Sequence, residues 1–148
     1  MSPDTVFTIC NTGVLPAWLL LAILPHHKLT QTLVHAIWIP GLLALFYLWA
    51  MFNAPPAAEG ADFSSLAGLS LLFQNPVALL GGWIHYLAFD LFVGAWIVRD
   101  ARYQGINHWL TLPCLFITLM AGPAGLLLYF LLRLALKRTI SLYEQPVI

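Results

Sequence analysis

Four apolar runs, each long enough to cross a bilayer, constrain this sequence more than any other feature. They extend from about Thr5 to Leu24, Thr32 to Phe52, Val77 to Val98 and Leu112 to Leu134. A helix needs roughly 20 apolar residues to cross the hydrocarbon core. Only 8% of the residues are charged, against about 25% in a soluble domain. The sequence therefore predicts an all-α integral membrane bundle of four transmembrane helices, forming one domain over residues 1–148.

The connection between the second and third runs contains a further apolar segment, at about residues 63–73. It is too short to cross the core, so we expect a helix that lies at the interface or re-enters the bundle. The Asn75–Pro76 pair that follows is typical of a helix start. Asn75 is the predicted N-cap and Pro76 the first helical residue, because proline lacks the N–H that this position leaves unbonded.

Charge excludes one class of partner and leaves the orientation open. The net charge is zero and no basic tract exists, so we expect no nucleic-acid partner. If the four helices alternate in direction, three of the six basic residues fall at each end of the bundle, and the positive-inside rule cannot decide the orientation. The N-terminus lacks the cationic segment of a signal peptide. These features are typical of a retained helix in a bacterial inner membrane or a thylakoid-type membrane.

The third run carries two polar groups near its midpoint, His85 and Asp90. A charge at that depth costs roughly 2.5–3.5 kcal/mol, so Asp90 should face the bundle and either find a partner or be protonated. Helical spacing puts the two residues on different stripes about 140° apart. If the third helix is central, we expect that both can border one interior cavity without bonding to each other. The alternative is a packing role, but interhelical hydrogen bonds contribute only about 0.6 kcal/mol, which favours a function for Asp90.

Other polar and aromatic residues extend this predicted site. Asn11 and Arg133 are expected at the N-terminal side, where they could line a pocket with His85. Snorkelling of Arg133 to the headgroups is a slightly better explanation of that residue. Tryptophans on either side of His85 could stack on a flat or cyclic apolar ligand, although interface belts remain the default. The predicted substrate-binding residues are Asn11, Trp83, Tyr86, Trp96, Tyr129 and Arg133.

The fourth run contains the segment LMAGPAG, Leu119 to Gly125. Pro123 cannot complete the helical bonding pattern and should kink the helix. Ala121 and Gly125 form a small-xxx-small pair that permits close helix approach, and packing or pocket formation explains it equally well. Histidine spacings typical of metal sites are missing from the sequence, so we expect no metal and no cofactor.

The segment from Phe73 to Arg133 resembles the abscisic-acid-deficient-four family of multi-pass membrane proteins. The specific pieces are W-x-H-Y-x-x-F-D-L-F-x-G from Trp83 to Gly94, R-D at Arg99 and Asp100, and G-P-x-G-L-L from Gly122 to Leu127. In plants this family is tied to neoxanthin formation from violaxanthin. The resemblance implies an isomerase-like role on a xanthophyll, with Asp90 as the acid and His85 as the base.

Three functional hypotheses follow from these features. The first is an acid–base isomerase of a carotenoid or other isoprenoid lipid. The second is a non-catalytic carotenoid- or lipid-binding accessory protein, and the third and weakest is a proton or small-solute carrier. The expected partner is a membrane lipid or carotenoid ligand, and association into homo- or hetero-oligomers in the membrane is compatible with all three.

Overall fold

A computed structural model describes residues 1–142, and within that range every regular element is an α-helix. The helices are α1 Pro3–Gly13, α2 Leu15–Ile23, α3 Lys28–Leu33, α4 Trp38–Asn53, α5 Leu66–Leu72, α6 Pro76–Tyr103 and α7 His108–Lys137. Four segments are long and apolar enough to cross a membrane: Pro3–Ile23, Lys28–Asn53, Pro76–Tyr103 and His108–Lys137. The all-α class is confirmed, as is a short helix, α5, between the second and third of these segments. The single domain stays a prediction, and residues 143–148 lie outside the described range.

The start of α6 follows the predicted capping pattern. The Asn75 side chain accepts hydrogen bonds from the backbone N–H groups of Val77 at 2.9 Å and Ala78 at 3.3 Å, and Pro76 opens the helix. These bonds pair two of the N–H groups that a helix start leaves unsatisfied. Inside a bilayer interface this local chemistry determines where α6 begins.

The central element of the bundle is α6. Its side chains Ile84, Leu91 and Ile97 are fully buried. Helices α1 and α2 run alongside it in the same direction, and α3 and α4 run in the opposite direction. A close approach to α2 occurs at Gly94, where an added Cβ would lie 2.7 Å from the ring of Trp18. Glycine is therefore required at this crossing.

The fourth long helix, α7, folds back on itself. Ala121 has non-helical angles, φ −155° and ψ 63°, and separates an outgoing half (residues 108–120) from a return half (residues 122–137). The amine of Lys137 donates to the carbonyl of Gly105 at 3.3 Å, although Gly105 lies before the helix starts. A straight helix of 30 residues would separate its ends by about 45 Å. Both ends of α7 therefore lie at the same end of the bundle.

Sequence chemistry explains the position of this reversal. Pro123 lies two residues after Ala121, in the first turn of the return half, where a proline is tolerated because the N–H it lacks has no partner within the helix. The two halves then approach closely at Gly125, where an added Cβ would overlap the backbone of Thr118. The kink expected from Pro123 is confirmed, and the Ala121–Gly125 segment forms a hairpin tip that contacts Asp90 of α6 through Gly122, rather than a bend in one continuous rod.

Candidate functional site

The largest feature around His85 is an apolar cavity of about 560 Å³. It lies between α4, α5 and α6 and is covered by residues 54–58 and Phe63 of the connecting segment. His85 is the lining residue of α6 that lies furthest along the helix, and the Tyr47 ring faces it at 6.2 Å between centroids. The cavity therefore offers an apolar volume with an imidazole and a phenol on its wall.

Small residues give this cavity its shape. A Cβ added at Gly82 would lie 2.9 Å from the Phe73 ring, and one added at Gly81 would overlap the end of the Met51 side chain. The glycine pair therefore lets α4 and the end of α5 approach α6. His85 itself stacks on Phe89, with 4.4 Å between ring centroids, which orients the imidazole along the helix surface.

Asp90 is the most unusual polar group in the interior. Its side chain is only 9% exposed, and among the residues that the structure describes its Oδ2 is a buried oxygen without a hydrogen-bond partner. The carboxyl group faces the hairpin tip of α7, and an added Cβ at Gly122 would overlap it. The Tyr86 hydroxyl and the Gly122 backbone are the polar groups beside it. Asp90 thus meets the start of the return half.

The start of a helix has unpaired N–H groups and a partial positive charge. A carboxyl at this position can cap the return half from a neighbouring helix, and it can also hold a proton in an apolar setting. The geometry is compatible with both roles. Half-helix starts of this kind are used by membrane transporters to meet charged groups.

One expectation about His85 and Asp90 is wrong. The cavity that His85 lines does not include Asp90, which faces α7 instead. The two residues are five positions apart on α6, so their side chains point in directions about 140° apart and meet different neighbouring helices. The two predicted stripes themselves are confirmed by the stacking of Trp83 on Tyr86 and of His85 on Phe89.

The structure brings three of the predicted residues together away from the cavity. The Trp83 indole N–H donates to Oδ1 of Asn11 at 3.2 Å and links α1 to α6. Its ring stacks on Tyr86, with centroids 5.2 Å apart and planes 21° apart. Through Tyr86, this group reaches the carboxyl of Asp90.

Arg133 and Tyr129 lie elsewhere, in a buried polar cluster with Asp100. Arg133 Nε donates to Asp100 Oδ2 at 2.8 Å, and the Tyr129 hydroxyl donates to the same oxygen at 2.5 Å. Arg133 Nη2 donates to Asp100 Oδ1 at 3.4 Å, and Nη1 to the Thr139 carbonyl at 3.2 Å. The side chains of Arg133 and Asp100 are each 2% exposed. This cluster joins the return half of α7 to the end of α6.

The cluster corrects two expectations about Arg133. It does not snorkel to the headgroups, because it is buried and paired. It also does not share a pocket with Asn11 and His85, because the fold-back carries the return half to the opposite end of the bundle. Sequence reasoning missed Asp100 as a partner. The available signal was an acidic residue in one apolar helix and the Tyr129–Arg133 pair, one turn apart, in the next.

Trp96 also packs on the return half. Its ring makes edge contacts with Tyr129 at 5.5 Å and Phe130 at 5.9 Å between centroids. It does not line the cavity of His85. The two tryptophans expected to enclose a ligand therefore pack on different helices: Trp96 contacts α7, and Trp83 is bonded to α1. Within residues 1–142, no group of three metal-ligating side chains is assembled.

Comparison with known proteins identifies the relatives of this chain. Residues 5–129 match the family described as ABA DEFICIENT 4-like. The chain belongs to this family. The resemblance drawn from the Trp83–Gly94 and Gly122–Leu127 motifs is therefore confirmed.

One curated relative is the chloroplastic protein ABA DEFICIENT 4 of Arabidopsis thaliana. It is 26% identical over 136 residues, which cover 86% of this chain and 60% of the relative. The chain thus spans about three fifths of the length of that protein. No solved structure matches it.

Proposed function

We propose that this ABA DEFICIENT 4-like protein binds a carotenoid or other isoprenoid lipid within a bacterial inner membrane or thylakoid-type membrane and isomerises it by proton transfer. The observation that carries the proposal is the apolar cavity of about 560 Å³ lined by His85. A cavity of this size and character suits a cyclic apolar end group. The remainder of a long isoprenoid chain would extend into the surrounding lipid.

The family resemblance suggests the type of reaction. Conversion of a cyclic 5,6-epoxide into an allene breaks one C–O bond, adds a proton to the epoxide oxygen and removes a proton from a neighbouring carbon. The two protons balance, so the reaction needs an acid and a base but no redox partner. An imidazole on the cavity wall suits the base, which is the role proposed for His85.

The proposed acid is Asp90, and the structure limits how it can act. Its carboxyl group lies on the other side of α6, at the hairpin tip. The epoxide oxygen and the carbon that loses its proton are close together in one end group, so Asp90 and His85 must both reach that same end group. The proposal therefore includes a movement of the helices that brings the two side chains to one ligand ring, and the Asp90 variants below test this step.

The separation of His85 from Asp90 favours a second candidate function, in which the protein binds an isoprenoid without changing it. The cavity serves both functions equally. The two functions differ in whether the bound molecule is chemically altered, and the identity of the extracted pigment shows which of them applies.

The first experiment expresses the protein in a carotenoid-producing host and extracts the pigment from the purified protein. Ala78→Leu puts a larger side chain into the cavity, which reduces its free volume and should release the bound pigment. Ala124→Leu makes the same change at an exposed position of α7 and should leave binding intact. Equal pigment content in both variants would contradict the location of the ligand, and a colourless wild-type protein in several carotenoid backgrounds would contradict both candidate functions.

The second experiment separates conversion from binding. His85→Gln should abolish conversion of the pigment while most of the bound pigment remains. Asp90→Asn keeps a side chain that caps helices well but cannot donate a carboxyl proton, so it should abolish conversion at unchanged thermal stability. Asp90→Ala should lower the stability as well. Conversion at the wild-type rate by Asp90→Asn would exclude Asp90 as the acid.

A further inference from the structure

The fold-back of α7 changes the distribution of charge along the bundle. Lys28 begins α3, near the end of α2, and Arg102 lies in the last turn of α6. Arg99 contacts His35, in the connection between α3 and α4, at 3.2 Å. These groups lie at one end of the bundle, which we call the basic end.

The return half of α7 brings its own basic residues to the same end. Arg133 is bonded to Asp100, near the end of α6, and Lys137 is bonded to the carbonyl of Gly105. Arg138 follows directly. Every lysine and arginine of the chain, six in number, therefore lies at the basic end. With a straight α7, half of them would lie at the opposite end.

The opposite end has a different character. Asp4 lies in the first turn of α1, and Glu59 and Asp62 lie in the segment between α4 and α5. This end also holds Asn75 and the segment that covers the cavity of His85. No lysine or arginine is present there. We call it the acidic end.

We propose that the basic end faces the cytoplasm, or the stroma in a plastid, and lies against the anionic headgroups of that leaflet. Lysine and arginine near the ends of membrane helices are retained on the cytoplasmic side, and acidic residues contribute little to this choice. Anionic lipids of the cytoplasmic leaflet attract basic residues within a Debye length of the surface. Six basic residues at one end and none at the other determine the orientation by this rule, whereas three at each end would not.

This orientation determines the leaflet from which the cavity receives its ligand. The cavity lies near the acidic end, so an isoprenoid would enter from the leaflet on the periplasmic or lumenal side. This consequence rests on the proposed function, whereas the orientation does not. The pigment experiments and the topology experiments below can therefore fail independently.

The orientation is tested by labelling single cysteines in intact bacterial cells with a membrane-impermeant maleimide. The background carries Cys10→Ala and Cys114→Ala, which remove two buried free thiols. Glu59→Cys should be labelled in intact cells, and Gln104→Cys only after the membrane is permeabilised. Any other labelling pattern overturns the proposal.

A C-terminal green fluorescent protein fusion tests the fold-back together with the orientation. This reporter fluoresces in the cytoplasm and not after export to the periplasm. If α7 returns to the basic end, the fusion fluoresces and reports the same compartment as Gln104→Cys. A fusion whose compartment differs from that of Gln104→Cys would show that α7 crosses the membrane and would overturn the charge count. A dark fusion of full-length protein in which Gln104→Cys is also labelled in intact cells would overturn the orientation.

The cause of the orientation is tested with charge variants. Neutralising four basic residues together (Lys28→Gln, Arg102→Gln, Lys137→Gln and Arg138→Gln) should make Gln104→Cys accessible in a fraction of intact cells. Asp4→Asn, which removes an acidic residue, should change nothing. Unchanged labelling in the fourfold variant would overturn the role assigned to the basic residues. Its elution as a single species in detergent shows that it is folded.

Discussion

Replacing the buried Arg133 with methionine should destabilise the protein more than the loss of any exposed or partly exposed arginine. The change removes the guanidinium group and keeps an unbranched apolar side chain of similar reach. Asp100, at 2% exposure, would retain only the hydroxyl of Tyr129 as a partner. The carboxylate would then be buried without a compensating charge.

The expected size of the effect follows from that burial. Removing one partner of a buried ion pair costs about 3–5 kcal/mol, because the other charge stays desolvated. A neutral interhelical hydrogen bond in a membrane contributes only about 0.6 kcal/mol. Tyr129→Phe, which removes one bond to a charged acceptor, should cost about 1.5–3 kcal/mol. The cost expected for Arg133→Met is far enough above that of a neutral hydrogen bond to distinguish a buried ion pair from one.

Unfolding in mixed micelles of sodium dodecyl sulfate and a mild detergent gives the free energy of unfolding. The probe is the fluorescence of the six tryptophans, which include Trp96 beside the return half. Combining Asp100→Asn with Arg133→Met removes both charges and should recover most of the lost stability. Arg102→Met, at an exposed position, serves as the control and should stay within about 0.5 kcal/mol of wild type. A cost below about 1 kcal/mol for Arg133→Met, or no recovery in the double variant, would refute the buried pair.

Two further predictions test the hairpin and the covering segment. Gly125→Ala should destabilise the protein by about 1–3 kcal/mol, since its Cβ would overlap the Thr118 backbone, which cannot move aside. Gly41→Ala is the control, because its Cβ has open space, and it should stabilise the protein by about 0.5–1 kcal/mol. If the same unfolding assay gave changes of equal sign for both variants, the close approach at Gly125 would be contradicted. Hydrogen bonds from Ser64 hold the pKa of Asp62 below its ordinary value, so the ionised form stabilises the start of α5 at neutral pH and this contribution is lost as the pH falls through the lowered pKa. Hydrogen exchange over residues 62–72 should therefore become less protected in acid, relative to the rate expected for an unstructured chain, in the wild type but not in Asp62→Asn; an equal pH response of both proteins would contradict the role of the carboxylate.

Features that depend on short stretches of chain were predictable from the sequence. The apolar runs predicted the long helices because a bilayer leaves few alternatives for about 20 apolar residues. Asn75 and Pro76 predicted the start of α6 because the capping bonds reach only two or three residues ahead. Helical spacing also predicted that His85 and Asp90 do not bond to each other.

Features that depend on the relative placement of helices were not predictable in this way. Pro123 indicated a kink, but its angle depends on the packing of Gly125 against Thr118. The pairing of Arg133 with Asp100 requires the fold-back, because the two residues are 33 positions apart and a straight α7 would hold them at opposite ends. The prediction of one cavity shared by His85 and Asp90 was wrong because each side chain faces a different neighbouring helix.

The sequence by itself determined a helical membrane protein of the ABA DEFICIENT 4-like family, since hydropathy and local motifs are properties of the chain. Tertiary structure decided that the last helix reverses at Ala121, that His85 and Asp90 serve different surroundings, and that all basic residues gather at one end. Each of these outcomes depends on side chains of distant segments meeting in the bundle, and one-dimensional spacing does not record those contacts.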